Sequence, residues 1–325
     1  MTLDYLYMKK SSFYKEDILK DGFEQRSIEL QDDYEGEAVS ILIRHLASTL
    51  SVKAILYIHG FNDYFFQSEL AYKFNENGFN FYALDLRKYG RAYLPHQKMN
   101  DIRNLKDYYE EISKALSIIY SEGNREIILS GHSTGGLILT LFAKNFSNKI
   151  AFNGLILNSP FFEFNKSRLS KMLIPVAAFV GGIFPKLKIP GGFTKEYGEN
   201  LHSSYSGEWD YNLEWKPNIP PKVNLGWVRA IYKAQKELKK GFSIQQPVLV
   251  LHSTKSVTDN ENKNQMQSMD AILNVKDIER IARKIEGDVE IISISGGLHD
   301  LVLSKKTVRN DVYTNIFNWI QRHHL

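Results

Sequence analysis

The chemistry of this chain concentrates in the run Gly131-His132-Ser133-Thr134-Gly135. A serine hydroxyl attacks a carbonyl only when a base takes its proton and the backbone presents its oxygen freely. The G-x-S-x-G spacing serves the second need: a sharp strand-to-helix turn exposes the serine, and glycines permit the close backbone approach around it. The flanks suit such a turn, with an apolar strand-like run at Ile127 to Ser130 and an apolar helical stretch from Leu137. A helix start here also favours negative charge developing on a substrate oxygen. A glycine turn with an incidental serine is the plainer alternative, and the strand and helix around it argue against that.

A base must reach Ser133. Of 9 histidines, His299 alone combines a loop after a strand-like run with flanking glycines, in Gly296-Gly297-Leu298-His299-Asp300. That puts it at the carboxyl ends of the strands, where open α/β sheets bind ligands. His252, at the end of the preceding strand-like run, is its nearest rival. If the order is nucleophile, acid, base, the acid lies between Ser133 and His299. Asp270 and Asp259 compete. Asp270 is favoured because it precedes a helix bearing Ile278, Ile281, Ala282 and Ile285, and because its separation from His299 is about the 30 residues of one βα unit. Its role is to orient the imidazole and stabilise its charged form. His132, inside the turn, is expected to pack rather than react.

Strand-like and helix-like runs alternate through most of the chain, the pattern of a mostly parallel, doubly wound sheet with crossover helices. Two extended stretches between Phe23 and Leu46 read as an antiparallel hairpin at the sheet's edge. A βαβ unit follows, with strands at Ala54 to Ile58 and Phe79 to Leu84 and a helix over Tyr64 to Asn77. The amphipathic stripe Ile102, Leu105, Tyr109, Ile112, Leu116, Ile119 predicts a helix over Asp101 to Ser121. Further buried strands are expected at Glu126 to Leu129, Gly154 to Leu157, Pro247 to Leu251 and Val289 to Ile294, and a helix over Lys306 to His323.

Nearly ninety residues between Asn158 and Pro247 break this rhythm, too many for a structureless loop. We read residues 163–246 as an inserted cap subdomain, and residues 1–162 with 247–325 as the core domain. Its apolar run from Met172 to Phe184 is 13 residues, short of the ~20 that a membrane helix needs. Such a run must be buried in the core or line an apolar site; in the second case it would form an acyl-binding wall over Ser133.

Composition narrows the classes. The 325 residues are 43% hydrophobic and 24% charged with net charge +4, a globular profile without the clustered basic footprint of nucleic-acid binding. With no cysteine, disulfides, thiol catalysis and thiolate metal sites are excluded. No secretory leader or membrane span is read, so a cytoplasmic location is expected.

Taken together, the motifs resemble those of α/β-hydrolases grouped with monoacylglycerol lipases, lysophospholipase-like proteins and the serine aminopeptidase (S33-type) domain. The resemblance runs from about Phe23 to the C-terminus. Besides the G-x-S-x-G turn and the LHD segment, it rests on Ile58-His59-Gly60-Phe61-Asn62-Asp63 and on Ala83-Leu84-Asp85-Leu86-Arg87-Lys88-Tyr89-Gly90-Arg91, which looks like the group's D-x-R-x-x-G turn. It implies an α/β-hydrolase fold and a triad of Ser133, Asp270 and His299. It also implies an oxyanion hole from the backbone N–H groups of Phe61 and Thr134, with His59 and Gly60 as its supporting loop. The implied activity is hydrolysis of a small carboxylic ester with an apolar acyl group, needing no cofactor and no metal. Peptide or amide hydrolysis is the alternative within enzymes, and a non-catalytic binding protein on the same fold the alternative outside them. The stretch before Asp270 is unusually rich in Asn and Gln for the group, and there is no acidic cluster to hold a substrate's free amine.

Overall fold

A computed structural model describes residues 13–189, 195–257 and 266–325. Asp259 lies outside the described residues. Nine strands form one sheet: β1 (Lys15–Glu16), β2 (Glu24–Glu29), β3 (Val39–His45), β4 (Lys53–Ile58), β5 (Asn80–Asp85), β6 (Glu126–His132), β7 (Gly154–Asn158), β8 (Val248–Ser253) and β9 (Val289–Ile294). Their spatial order is β1-β2-β3-β5-β4-β6-β7-β8-β9. Pairing is antiparallel from β1 through β3 to β5 and parallel from β5 to β9. This is the α/β-hydrolase fold, mostly parallel with antiparallel N-terminal strands.

The parallel strands β4 to β8 are apolar and almost wholly buried because helices cover both faces. The helices of two or more turns among the described residues are α1 (Ser68–Glu76), α2 (Tyr108–Ser121), α3 (Thr134–Phe146), α4 (Arg168–Ile183), α5 (Leu225–Leu238), α6 (Val275–Ala282) and α7 (Lys306–Arg322). One side chain set of the sheet packs with α2 and α3, the other with α1 and α7. β9 departs from the expected double burial. It pairs only with β8 and all but its last residue are at least partly exposed, because it closes the sheet's edge.

Several boundaries shift for local reasons. The helix expected from Asp101 begins at Tyr108, after a short 3-10 turn capped by the Asn104 side chain, which accepts from the Lys106 N–H. The expected stripe nevertheless holds, with Ile102, Leu105, Ile112, Leu116 and Ile119 buried. α1 starts at Ser68 rather than Tyr64, and Ile285 leaves α6 to join a two-residue ladder with Phe242 and Ser243.

The segment between β7 and β8 holds α4, the one-turn helix Glu196–Glu199 and α5. Most of the large side chains in the apolar run of α4 lie outside the core. Met172, Leu173, Val176, Phe179, Ile183 and Phe184 are exposed. Small residues occupy its inner face instead: a Cβ on Gly181 would lie 2.1 Å from the Leu225 carbonyl oxygen of α5, so the two helices meet backbone to backbone.

Candidate active site

Strand β6 runs to His132 and α3 begins at Thr134, so Ser133 is the single residue that turns the chain. Its φ of 51° and ψ of −112° lie in a region a side-chain-bearing residue occupies at a cost of about 1–3 kcal/mol. The surroundings hold it there. Its N–H donates to the Asn158 carbonyl at 3.0 Å, and its own carbonyl accepts from Leu137 at 3.1 Å and Phe161 at 2.9 Å. Gly135 permits the turn: a Cβ there would stand 2.3 Å from the Ile58 carbonyl oxygen at the end of β4.

The Ser133 hydroxyl lies 2.9 Å from His299 Nε2, and His299 Nδ1 lies 3.0 Å from Asp270 Oδ2. All three residues are buried. The second Asp270 oxygen accepts from the N–H groups of Ile272 at 2.8 Å and Leu273 at 2.7 Å. Backbone bonds to Lys255 and Val257 fasten Asp270 to the chain leaving β8. With both carboxylate oxygens occupied, the Nδ1 proton has a fixed acceptor, which leaves the Nε2 lone pair facing the serine. His252 is turned away, its Nδ1 on the Ser253 carbonyl.

The loop after β4 is held by His59, whose Nε2 accepts from the Leu86 N–H at 3.1 Å while Nδ1 donates to the Gly60 carbonyl at 2.8 Å. Both ring nitrogens are committed to a neutral imidazole, and burial lowers its pKa. Phe61 follows Gly60 in this loop, and Thr134 is the first residue of α3. The Asp85 to Arg91 turn backs the loop: Asp85 accepts from the N–H groups of Phe65 and Arg91, and the Arg91 guanidinium bridges Asp85 and Asp17.

A second polar group, unexpected from the sequence, lies against the first. The His132 ring is 4.9 Å from the His299 ring, with Asp63 3.6 Å and Asp300 3.8 Å from His132 Nδ1. Burial disfavours charge on His132, but the carboxylates of Asp300 and Asp63 more than offset this and raise its pKa. Asp63 is buried too, and Lys216 at 2.7 Å, with His132, holds its carboxyl well below the usual range. Asp300 accepts from Asn158 at 2.7 Å and Gln67 at 3.3 Å. Asp63, His132 and Asp300 have the spacing of a metal site among the described residues, but the Lys216 ammonium already supplies a cation there. The available signal was an acid close behind each motif: Asp63 after His59-Gly60, and Asp300 after His299.

An aromatic group adjoins the site through Phe161, whose N–H donates to the Ser133 carbonyl, and through Phe61, which follows Gly60. Trp227 of α5 lies 4.9 Å from the Phe61 ring and stacks 6.4 Å from Phe161, with Phe164 at 6.5 Å.

Among solved structures the chain is similar to a soluble variant of a monoglyceride lipase from Saccharomyces cerevisiae bound to a substrate analog. Identity is 19% over 96% of this chain and 95% of that one, with a TM-score of 0.65. It is also similar to a monoacylglycerol lipase from Paleococcus ferrophilus (17%, 92% and 99%, TM-score 0.65). A thermophilic esterase from Thermogutta terrifontis is a third (16%, 92% and 100%, TM-score 0.59). At these identities the likeness establishes the fold. No curated protein matches the chain significantly in sequence. The family described as "Serine aminopeptidase, S33" matches residues 51–306, which include Ser133, Asp270 and His299. The chain belongs to the serine aminopeptidase S33 family of α/β-hydrolases.

Proposed function

We propose that the protein hydrolyses carboxylic esters through an acyl-enzyme on Ser133. The observation that carries this reading is the unbroken line from the Ser133 hydroxyl through His299 to Asp270, at a serine held in a left-handed turn. Ser133 Oγ attacks the ester carbonyl carbon as its proton passes to His299 Nε2. The tetrahedral oxyanion takes hydrogen bonds from the N–H groups of Phe61 and Thr134, the latter at the positive end of α3. Collapse expels the alcohol with the proton from His299, and water, deprotonated by the same imidazole, releases the acid.

The preference for esters rests on two observations. An aminopeptidase must present a carboxylate to its substrate's ammonium group. The carboxylates of Asp63 and Asp300 beside His132 are buried, and each already has partners: Asp63 has Lys216 and His132, Asp300 has Asn158 and Gln67. The bordering rings of Phe61, Phe161, Phe164 and Trp227 suit an apolar acyl chain, each buried CH₂ contributing up to ~0.8 kcal/mol, or nearly fourfold in binding. The similar lipases and esterase, so named, support the same class.

A fluorophosphonate probe should label Ser133, located by mass spectrometry, and Ser133→Ala should abolish turnover. For p-nitrophenyl esters from acetate to laurate, kcat/KM should rise to an optimum that Trp227→Ala lowers. A steady fall from acetate would exclude the acyl pocket, and faster cleavage of aminoacyl anilides would restore the peptidase reading. A folded protein that takes no label would be a binding module.

A further inference from the structure

We propose that Asp300 is a positioning residue for the ester hydrolysis proposed above: its carboxylate ties the loop bearing His299 to the strand end that holds Ser133. The inference rests on the triad reading and adds the device that sets the gap between base and nucleophile. A base and its nucleophile must meet closely, and a misplacement of about 1 Å can cost ~10² in rate. Ser133 follows β6 in the interior of the sheet, whereas His299 follows β9 at its edge. Asp270 fixes the orientation of the imidazole through Nδ1. The height of the loop above Ser133 is a separate requirement.

Asn158 supplies the link. It is the last residue of β7 and lies opposite His132 of β6 on one side and Leu251 of β8 on the other, so it is held within the sheet. Its carbonyl accepts from the Ser133 N–H at 3.0 Å. Its side chain serves the base's loop: Nδ2 donates to Asp300 Oδ1 at 2.7 Å, and Oδ1 accepts from the Leu301 N–H at 3.3 Å. One residue thus holds the nucleophile by its backbone and the two residues after the base by its amide. Gln67, just before α1, gives a second hold. Its Nε2 donates to Asp300 Oδ2 at 3.3 Å, while its Oε1 accepts from the Phe66 N–H at 3.1 Å, which sets the direction of the amide. Tyr197 of the inserted segment gives a third, its hydroxyl accepting from the Asp300 N–H at 3.3 Å.

Capping is the plainer role for Asp300, since its side chain also accepts from the Val302 N–H in the 3-10 turn Leu301–Leu303. That bond is 3.4 Å, longer than the one to Asn158, and a cap can sit in water. Asp300 is 1% exposed. Its carboxylate has given up hydration, which is unfavourable unless hydrogen bonds replace the lost water. Asn158 and Gln67, buried themselves, provide them, and through Asp300 they act on His299.

The test compares the full chain carrying Asp300→Ala, Asn158→Ala, both, or Asp300→Asn on a p-nitrophenyl ester, below the Tm of each. Asp300→Ala and Asn158→Ala should each lower kcat by about 10²-fold with KM within about twofold, because the base is displaced and the binding surface is not. The double variant should be no slower than the slower single one, since both changes cut one link. Asp300→Asn keeps an oxygen for the Asn158 amide and should restore most of the rate. Complete but slower fluorophosphonate labelling of Ser133 in the alanine variants would show that every molecule keeps its site, which a merely destabilised fold would not. Asp300→Leu, of similar size and without hydrogen bonds, should show the same loss if the alanine variant does not fold. Full kcat in Asp300→Ala or Asp300→Leu, losses that multiply in the double variant, or an Asp300→Asn as slow as Asp300→Ala would overturn the proposal and leave the triad reading standing. A wild type that neither labels at Ser133 nor turns over an ester would overturn both.

Discussion

Helices α3 and α4 are alike as sequences and opposite as structures. Both are strongly apolar and both carry a glycine pair. In α3 the pair opens the helix beneath Ser133, and every side chain from Thr134 to Ala143 is buried. In α4 the pair closes the helix against α5, and the bulky side chains point outward. A glycine pair thus marks where a backbone must approach another one, at the sheet in one case and at a helix in the other. Apolarity says that a face avoids water but not what will cover it.

The difference can be tested where the two regions meet and where they part. The largest effect belongs to the acid of the α3 site. Asp270→Asn should lower kcat by about 10⁴, the handicap seen when a buried triad acid of a serine protease is replaced, with the fold retained. Steady-state kinetics beside a circular dichroism spectrum would check this. Retained activity would move the acid to another residue.

Next is the ion pair through which the inserted segment reaches the core. Lys216→Met leaves Asp63 buried without its cation and should cost about 3–5 kcal/mol in denaturant unfolding. Adding Asp63→Asn should recover most of it. The pH dependence gives the sign. Because its carboxyl sits below the usual range when folded, Asp63 contributes stability fully present above the ordinary value of ~3.9 and lost as pH falls through the folded one. Lys216→Met should therefore lose most near neutrality and least in acid.

The smallest pair of effects isolates the two helices. Leu139→Ala in α3 should cost about 2–5 kcal/mol as a core cavity, whereas Phe179→Ala in α4 should stay within ~0.5 kcal/mol. Equal losses, read from urea midpoints, would mean that α4 is covered in solution.

The strands and the Ser133 turn were legible because their signals are local: apolar runs of five or six residues, glycines at fixed spacing, and a histidine just past a strand. The pairing of Asp270 with His299 was legible by chain order and βα spacing. The Asp63, His132, Asp300 and Lys216 group was not, since it joins residues from two loops, the end of β6 and the inserted segment, and its spacing exists only in space. The start of α2 was missed because the buried stripe begins at Ile102, in the irregular entry that precedes the helix at Tyr108. The outward face of α4 was missed because periodicity gives a stripe without its direction. That direction is set by Ala178 and Gly181, whose value lies in how close they let α5 come.

His299 and Ser133 lie 166 residues apart, and the loop bearing His299 hangs from β9, the half-exposed edge strand paired on one side only. An edge strand opens at lower free energy than strands buried between neighbours. The contact between Ser133 and His299 thus depends on a sheet built from distant segments. It should also be among the first to be lost. The proposed activity should consequently report on the far margin of the sheet: with rising denaturant, turnover is expected to fail while the central strands, and the ellipticity they contribute, persist.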